Sequence, residues 1–133
     1  MNNPGVFTLA NLAIGAAVTT QAQTPIVTLA GMAAVTLEVA FGYGSGGDTL
    51  SVTVQTSFDR GSIWRDVARF DFSDASAVRH CTIAGLSGTG ITDYADLAAE
   101  DVNPGLLGDC LRAVVTSTGV YADTTLAVRA SVR

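Results

Sequence analysis

The chain carries a single histidine, His80, so a Ser-His-Asp triad would depend wholly on it and a metal site built from several imidazoles is excluded. His80 lies in a strand-like stretch with no nucleophile elbow and reads as an ordinary strand residue. Carboxylate pairs for glycoside hydrolysis can be assembled from Asp66, Asp71 or Asp74, but any acidic surface offers such pairs. Asp93, Asp96, Glu100 and Asp101 supply oxygen ligands of the kind Ca²⁺ prefers, without the regular spacing of a calcium-binding loop. They read as a solvated acidic loop. Gly44-Ser45-Gly46-Gly47 does not follow a strand and open a helix, as a phosphate cradle does. The expectation is no catalytic residue, no metal and no cofactor: a contact module, not an enzyme.

The sharpest local motif is Ser57-Phe58-Asp59-Arg60-Gly61-Ser62-Ile63-Trp64. It matches the Asp-box, Ser-x-Asp-x-Gly-x-x-Trp, which closes a β-hairpin and recurs once per blade in sialidase-like propellers, away from their active sites. The Asp59 carboxylate can accept backbone N–H groups across the turn, Gly61 can take a positive φ, and Trp64 can fold its apolar surface back onto the sheet. Here the box occurs once, in a chain too short for a propeller. Ser57, Asp59, Gly61 and Trp64 are therefore expected to be structural turn residues.

The elements that position these residues read as strands. Val35, Leu37, Val39 and Phe41 alternate with Thr36, Glu38 and Ala40, and Leu50, Val52, Val54 and Thr56 with Ser51, Thr53 and Gln55. A period of two marks half-buried strands. The glycine-rich connector Gly42 to Asp48 is expected to join them as a long hairpin. A strand from about Ile63 to Phe72 puts Ala68, Phe70 and Phe72 on one face and Arg69 and Asp71 on the other. Further strands run over about Ala77 to Ala84, around Leu111 to Val115, and from Leu126 to Val132. Thr118 to Asp123 is expected to join the last two as a second hairpin, and Val6–Leu9 and Ile26–Leu29 add two short strands. Without βαβ spacing, a parallel doubly wound sheet is disfavoured. The predicted fold is all-β: a single antiparallel β-sandwich, jelly-roll or immunoglobulin-like, over residues 25–133.

Two segments fall outside that pattern. Residues 1–24 are apolar without a clear period, which fits either an arm lying along a neighbour or an edge strand of the chain's own core; the reading adopted is an extended N-terminal arm. Residues 85–109 form one long loop, glycine-rich and then acidic, in which Asp93 can cap a helical turn through Ala99. Connections of this length are often functional.

Composition narrows the function. The chain's 133 residues fit one domain. Charged residues make up 14%, well below the usual ~25%, and all seven basic residues are arginine, a residue suited to protein–protein contacts. Biased nucleotide composition gives the same arginine preference. A net charge of −5 argues against nucleic acid as a partner. The apolar run Phe7 to Val18 has no preceding Lys or Arg and is broken by Asn11 and Gly15, so neither an export signal nor a membrane anchor is expected. Cys81 and Cys110 lie on different strands; a bridge is possible, and two buried thiols are the simpler reading.

Gly31-Met32-Ala33-Ala34-Val35-Thr36-Leu37-Glu38, Tyr43-Gly44-Ser45-Gly46-Gly47 and Val54-Gln55-Thr56-Ser57-Phe58-Asp59-Arg60-Gly61, with Leu107-Gly108-Asp109-Cys110-Leu111-Arg112, Thr116-Ser117-Thr118-Gly119 and Tyr121-Ala122, resemble a group of small tailed-bacteriophage proteins over about residues 26–133. The departure is Arg60, where a second glycine is more usual. The resemblance implies a structural virion protein assembled in the host cytoplasm, with a capsid decoration or cement role foremost. Its partners would be the major capsid protein and copies of itself, with no nucleic acid and no membrane. The expected contacts are Phe7, Leu9, Leu12 and Ile14 in the arm, Tyr94, Leu97, Leu106 and Leu107 in the loop, and Arg65 and Arg69 on the exposed strand face. The alternative is a carbohydrate- or receptor-binding module of a head fibre, turret, neck or tail, with Tyr43 and Tyr121 as its aromatic platforms.

Overall fold

Among the described residues there are eleven strands, the long ones built by alternation of β-branched and aromatic residues with small polar ones. In chain order these are β1 (Gly5–Ile14), β2 (Gln21–Ala22), β3 (Ala34–Gly42), β4 (Ser45–Gly46), β5 (Thr49–Ser57), β6 (Trp64–Phe72), β7 (Ala77–Ala84), β8 (Asp101–Val102), β9 (Cys110–Thr118), β10 (Tyr121–Ala122) and β11 (Thr124–Val132). The structure, a computed structural model, describes residues 5–15, 17–18, 20–85, 90–98 and 100–133.

The strands form two antiparallel sheets, ordered β1-β11-β3-β7 and β2-β9-β5-β6-β8, with a small β10-β4 ribbon at one end. Inward positions such as Leu37, Val39, Val52, Val54, Leu111, Val115, Leu126 and Val128 are fully buried and fill the space between the sheets. The pairings are nested along the chain: β1 with β11, β2 with β9, β3 with β7, and β5 with β6. The protein is thus one long antiparallel ribbon, folded at the Asp-box turn and wrapped into two layers. The eight strands of these four nested pairs make a jelly roll and not an immunoglobulin sandwich.

That topology corrects several expectations. Neither Gly42 to Asp48 nor Thr118 to Asp123 closes a hairpin, because each connector crosses from one sheet to the other. Alternation tells which face a strand buries and not which strand it pairs with, and such a connector easily spans the ~10 Å between sheets. The two connectors pair with each other through β4 and β10, Tyr121 opposite Gly46. Gly47 sits beneath Tyr121 at φ 68°, where a Cβ would lie 2.3 Å from the ring.

The N-terminal arm is also corrected. Gly5–Ile14 is an edge strand of the chain's own core, paired with β11 from Val132 to Thr124. A bulge between Thr8 and Ala10 breaks its register, so inward residues fall at Phe7, Leu9, Ala10, Leu12 and Ile14 and no clean period shows in the sequence. Leu9 and Ile14 are buried, and Phe7 and Leu12 are half-buried against the core. The rest of the 1–24 segment contributes β2, while residues 1–4, 16 and 19 lie outside the described residues. Around Ile26–Leu29 there is an isolated bridge, Ile26 to Leu111, in place of a full strand. Residues 90–98 contain no helical turn, because their polar groups bond sideways to β6. Ala99 and residues 86–89 lie outside the described residues.

Candidate functional site

Three regions gather the residues singled out by chemistry: the acidic loop, the Asp-box tip, and the outward face of the first sheet.

The loop is strapped to the sandwich. Asp66, on β6 and 6% exposed, accepts the Gln55 amide at 2.8 Å through one carboxylate oxygen and the Leu97 N–H at 2.9 Å through the other. Its backbone N–H donates to the Tyr94 hydroxyl at 2.7 Å, and its carbonyl accepts the Asn103 amide at 2.7 Å. Tyr94 in turn donates to Asp96 at 2.7 Å. Burial, together with Asp96, pushes the Tyr94 hydroxyl up to about 12, so it stays a neutral donor near neutral pH. At the far end of the strap, Glu100 accepts the Asp71 N–H at 3.2 Å and pairs with Arg79 of β7. Arg79 also donates to the Asp71 carbonyl and lies 4.9 Å over the Phe72 ring. Glu100 therefore staples an edge of one sheet to an edge of the other.

The expected loop contacts also have partners within the chain. Leu97, Leu106 and Leu107 are half-buried, and Leu107 packs on the core. Arg69 is half-buried and held by Asp71 at 2.9 Å and by the Leu97 carbonyl at 3.2 Å. Arg65 is exposed, with its guanidinium 4.9 Å over the Tyr94 ring. The loop reaches across a sheet edge, where Glu100 accepts from Asp71 and Arg79, while Asp96 holds Tyr94 within the loop.

At the tip, Ser57 Oγ donates to Asp59 at 2.8 Å and accepts the Gly61 N–H at 2.8 Å. Asp59 accepts the Ile63 N–H at 2.8 Å. Gly61 has φ 95°, the Trp64 indole N–H donates to its carbonyl at 3.0 Å, and Arg112 lies 4.3 Å over the Trp64 ring. The Ile63 N–H first, and then the Ser57 hydroxyl, hold the Asp59 carboxyl below its ordinary value of 3.8. A carboxyl depressed on folding contributes stability that is whole above the unfolded value and is lost as pH falls through the folded one. Asp59→Asn keeps an acceptor but does not titrate, so its thermal midpoint should fall less steeply than the wild type's below about pH 4. Parallel melting curves between neutral and acid pH read the difference; equal slopes would show that Asp59 is uncoupled from folding.

The same tip presents Phe58 at 59% and Ile63 at 54% exposure, large apolar side chains turned to solvent where the turn itself does not need them. Beside them is an open groove of about 500 Å³ lined by Val27, Thr28, Ala30, Arg60, Asp109 and Cys110. The surrounding loops are locked together: the Leu29 N–H donates to the Asp109 carbonyl and the Asp109 N–H to the Ser57 carbonyl. A Cβ on Gly108 would lie 1.9 Å from the Ser57 oxygen. Arg60 has φ 61° and Thr28 φ 60°, a conformation that glycine takes without strain. The Cys110 thiol is pushed up to about 11 by burial and by Asp109, and both cysteines are free.

The third region is the outward face of the β1-β11-β3-β7 sheet. It is a carpet of small side chains, with Asn11, Ala127, Ala40 and Val78 in one register row and Val6, Ser131, Thr36 and Thr82 in another. Between them runs the row Thr8, Arg129, Glu38 and His80.

The tip and this face are not among the contact surfaces expected from the sequence. Phe58 and Ile63 inside the Asp-box were the available signal for the tip. The sheet face has none, because small residues at alternate positions look like any solvated strand. Tyr121, a candidate sugar platform, is 2% exposed and is corrected to a core residue; Tyr43 is half-buried and packs against that core. Among the described residues, no group of three His, Cys, Asp or Glu side chains is placed to hold a metal ion. No model of a known protein family matches the chain, and a search of curated proteins returns no match.

Proposed function

We propose that this chain is a structural protein of a tailed-phage particle, a decoration protein that sits on the major capsid protein and bridges its subunits. The observation that carries the reading is the tip: exposed Phe58 and Ile63 around Arg60, on a turn whose hydrogen bonds fix its shape. Exposed apolar groups on a rigid, charge-poor frame suit docking to another protein. The resemblance of residues 26–133 to small tailed-phage proteins is what suggests a virion as the setting for such a frame. Jelly rolls recur in viral capsid domains, which adds support at the level of fold alone.

Arg60 gives a direct test. Glycine suits its backbone better, so Arg60→Gly should leave the unfolding free energy unchanged or raise it by up to about 1 kcal/mol. The same variant should lower occupancy on phage particles, as should Phe58→Asp. The measurement is a particle reconstruction with copy number from mass spectrometry. Hundreds of copies, depleted in the variants, support decoration. A chain absent from particles overturns it.

A second reading, a carbohydrate-binding module at a neck, fibre or tail, is favoured by an open groove of about 510 Å³ on the other sheet, where Thr49, Ser51 and Thr116 surround the Arg69–Asp71 pair. A dozen copies or fewer, with binding on a glycan array, would select it.

A further inference from the structure

The outward face of the first sheet is self-complementary. Its only charges in the three rows described are Arg129 and Glu38, on neighbouring strands, with Thr8 and His80 at the ends of their row. Within the chain, Arg129 Nη1 lies 3.9 Å from Glu38 Oε1 and the two side chains are 48% and 51% exposed. A pair this long and this exposed contributes little in water.

We infer that two copies of the chain join through this face, about a twofold axis that lies in the interface and runs parallel to the strands between β11 and β3. That axis lays β11 of each copy over β3 of the other. Arg129 of each then meets Glu38 of the other, and four charges alternate in sign. An axis across the strands at the same row would stack Arg129 on Arg129 and Glu38 on Glu38, which like-charge repulsion disfavours. Small residues in the flanking rows, such as Ala40, Ala127 and Ser131, let the sheets approach in the aligned packing usual for facing sheets.

Four strands spaced ~4.8 Å, each about nine residues long at ~3.3 Å rise, give a face of about 550 Å². Two copies then bury about 1,100 Å² in total, near the lower bound of specific interfaces. The match of area and charge fits an association of about micromolar strength. Because the axis runs along the strands, both Asp-box tips point to the same end and the dimer is bivalent. The inference does not depend on where the protein resides.

The experiment is sedimentation velocity of the full chain over concentrations up to about 100 µM. The expected result is a concentration-dependent dimer. Arg129→Glu and Glu38→Arg should each weaken it by at least about 100-fold, and the double variant should restore it. Phe58→Asp, at the tip, should leave dimerisation unchanged. Circular dichroism confirms folding of each variant, and Ser131→Arg in the next row is a second probe should a charge reversal fail to fold. A wild type monomeric throughout, single reversals without effect, a folded double variant that stays monomeric, or a dimer lost in Phe58→Asp would each overturn the inference.

Discussion

Asp66→Ala is expected to lower the unfolding free energy by about 2–4 kcal/mol, since it removes two hydrogen bonds to a buried charge and leaves donors unpaired. The carboxylate holds the Leu97 N–H on one oxygen and the Gln55 amide on the other, and Gln55 in turn accepts Arg112 at 2.8 Å. Without it the row from β9 through β5 to the strap is broken. A urea titration reads the loss, and limited proteolysis reads its location, with new cleavage between residues 90 and 103. Asp66→Asn keeps one acceptor and should fall between the two. An unchanged urea midpoint in Asp66→Ala would mean that the strap is held by other contacts.

The largest loss is expected at Tyr121. Tyr121→Ala should cost about 3–5 kcal/mol, as large-to-small changes at buried aromatic positions do. The ring meets Phe41 edge-on at 5.9 Å and Tyr43 at 6.1 Å, covers Gly47, and its hydroxyl donates to the Ser73 carbonyl at 2.9 Å. It closes the end of the sandwich where both sheet-crossing connectors meet. Tyr121→Phe should cost only about 1 kcal/mol, the worth of one hydrogen bond. Denaturant curves with equal slopes compare the two; similar losses in both would assign the effect to the hydroxyl and not to the ring.

Much of the fold is legible in the sequence and much of the contact chemistry is not. The inward residues of β3, β5, β9 and β11 announce themselves through a period of two, which pleating imposes on any strand with one buried face. Strand partnership leaves no such trace, so two sheet crossings read as hairpins. In β1 the bulge at Thr8–Ala10 shifts the inward set by one residue and turns an edge strand into what reads as an aperiodic arm. The 85–109 loop reads as an exposed acidic surface because Glu100 is visible in the sequence while its donors, Asp71 and Arg79, lie apart along the chain, as do Asp66 on β6 and the Leu97 N–H it accepts. The Asp-box is local, and its residue types carry its geometry. Arg60 is the one position in that turn where residue and backbone disagree, and its φ of 61° leaves no trace in the residue types.

The nested ribbon also fixes the order in which the chain can be completed. Its tip, β5 with β6, joins residues close in sequence and can zip at once, while each outer layer must close a longer loop at greater entropic cost. The outermost layer joins Gly5 to Val132. On a ribosome, the stretch from β1 to β11 takes on the order of 10 s to synthesise, and β1 emerges well before its partner. Throughout that time Gly5–Ile14 is an unpaired apolar strand, the segment of the nascent chain most in need of shielding.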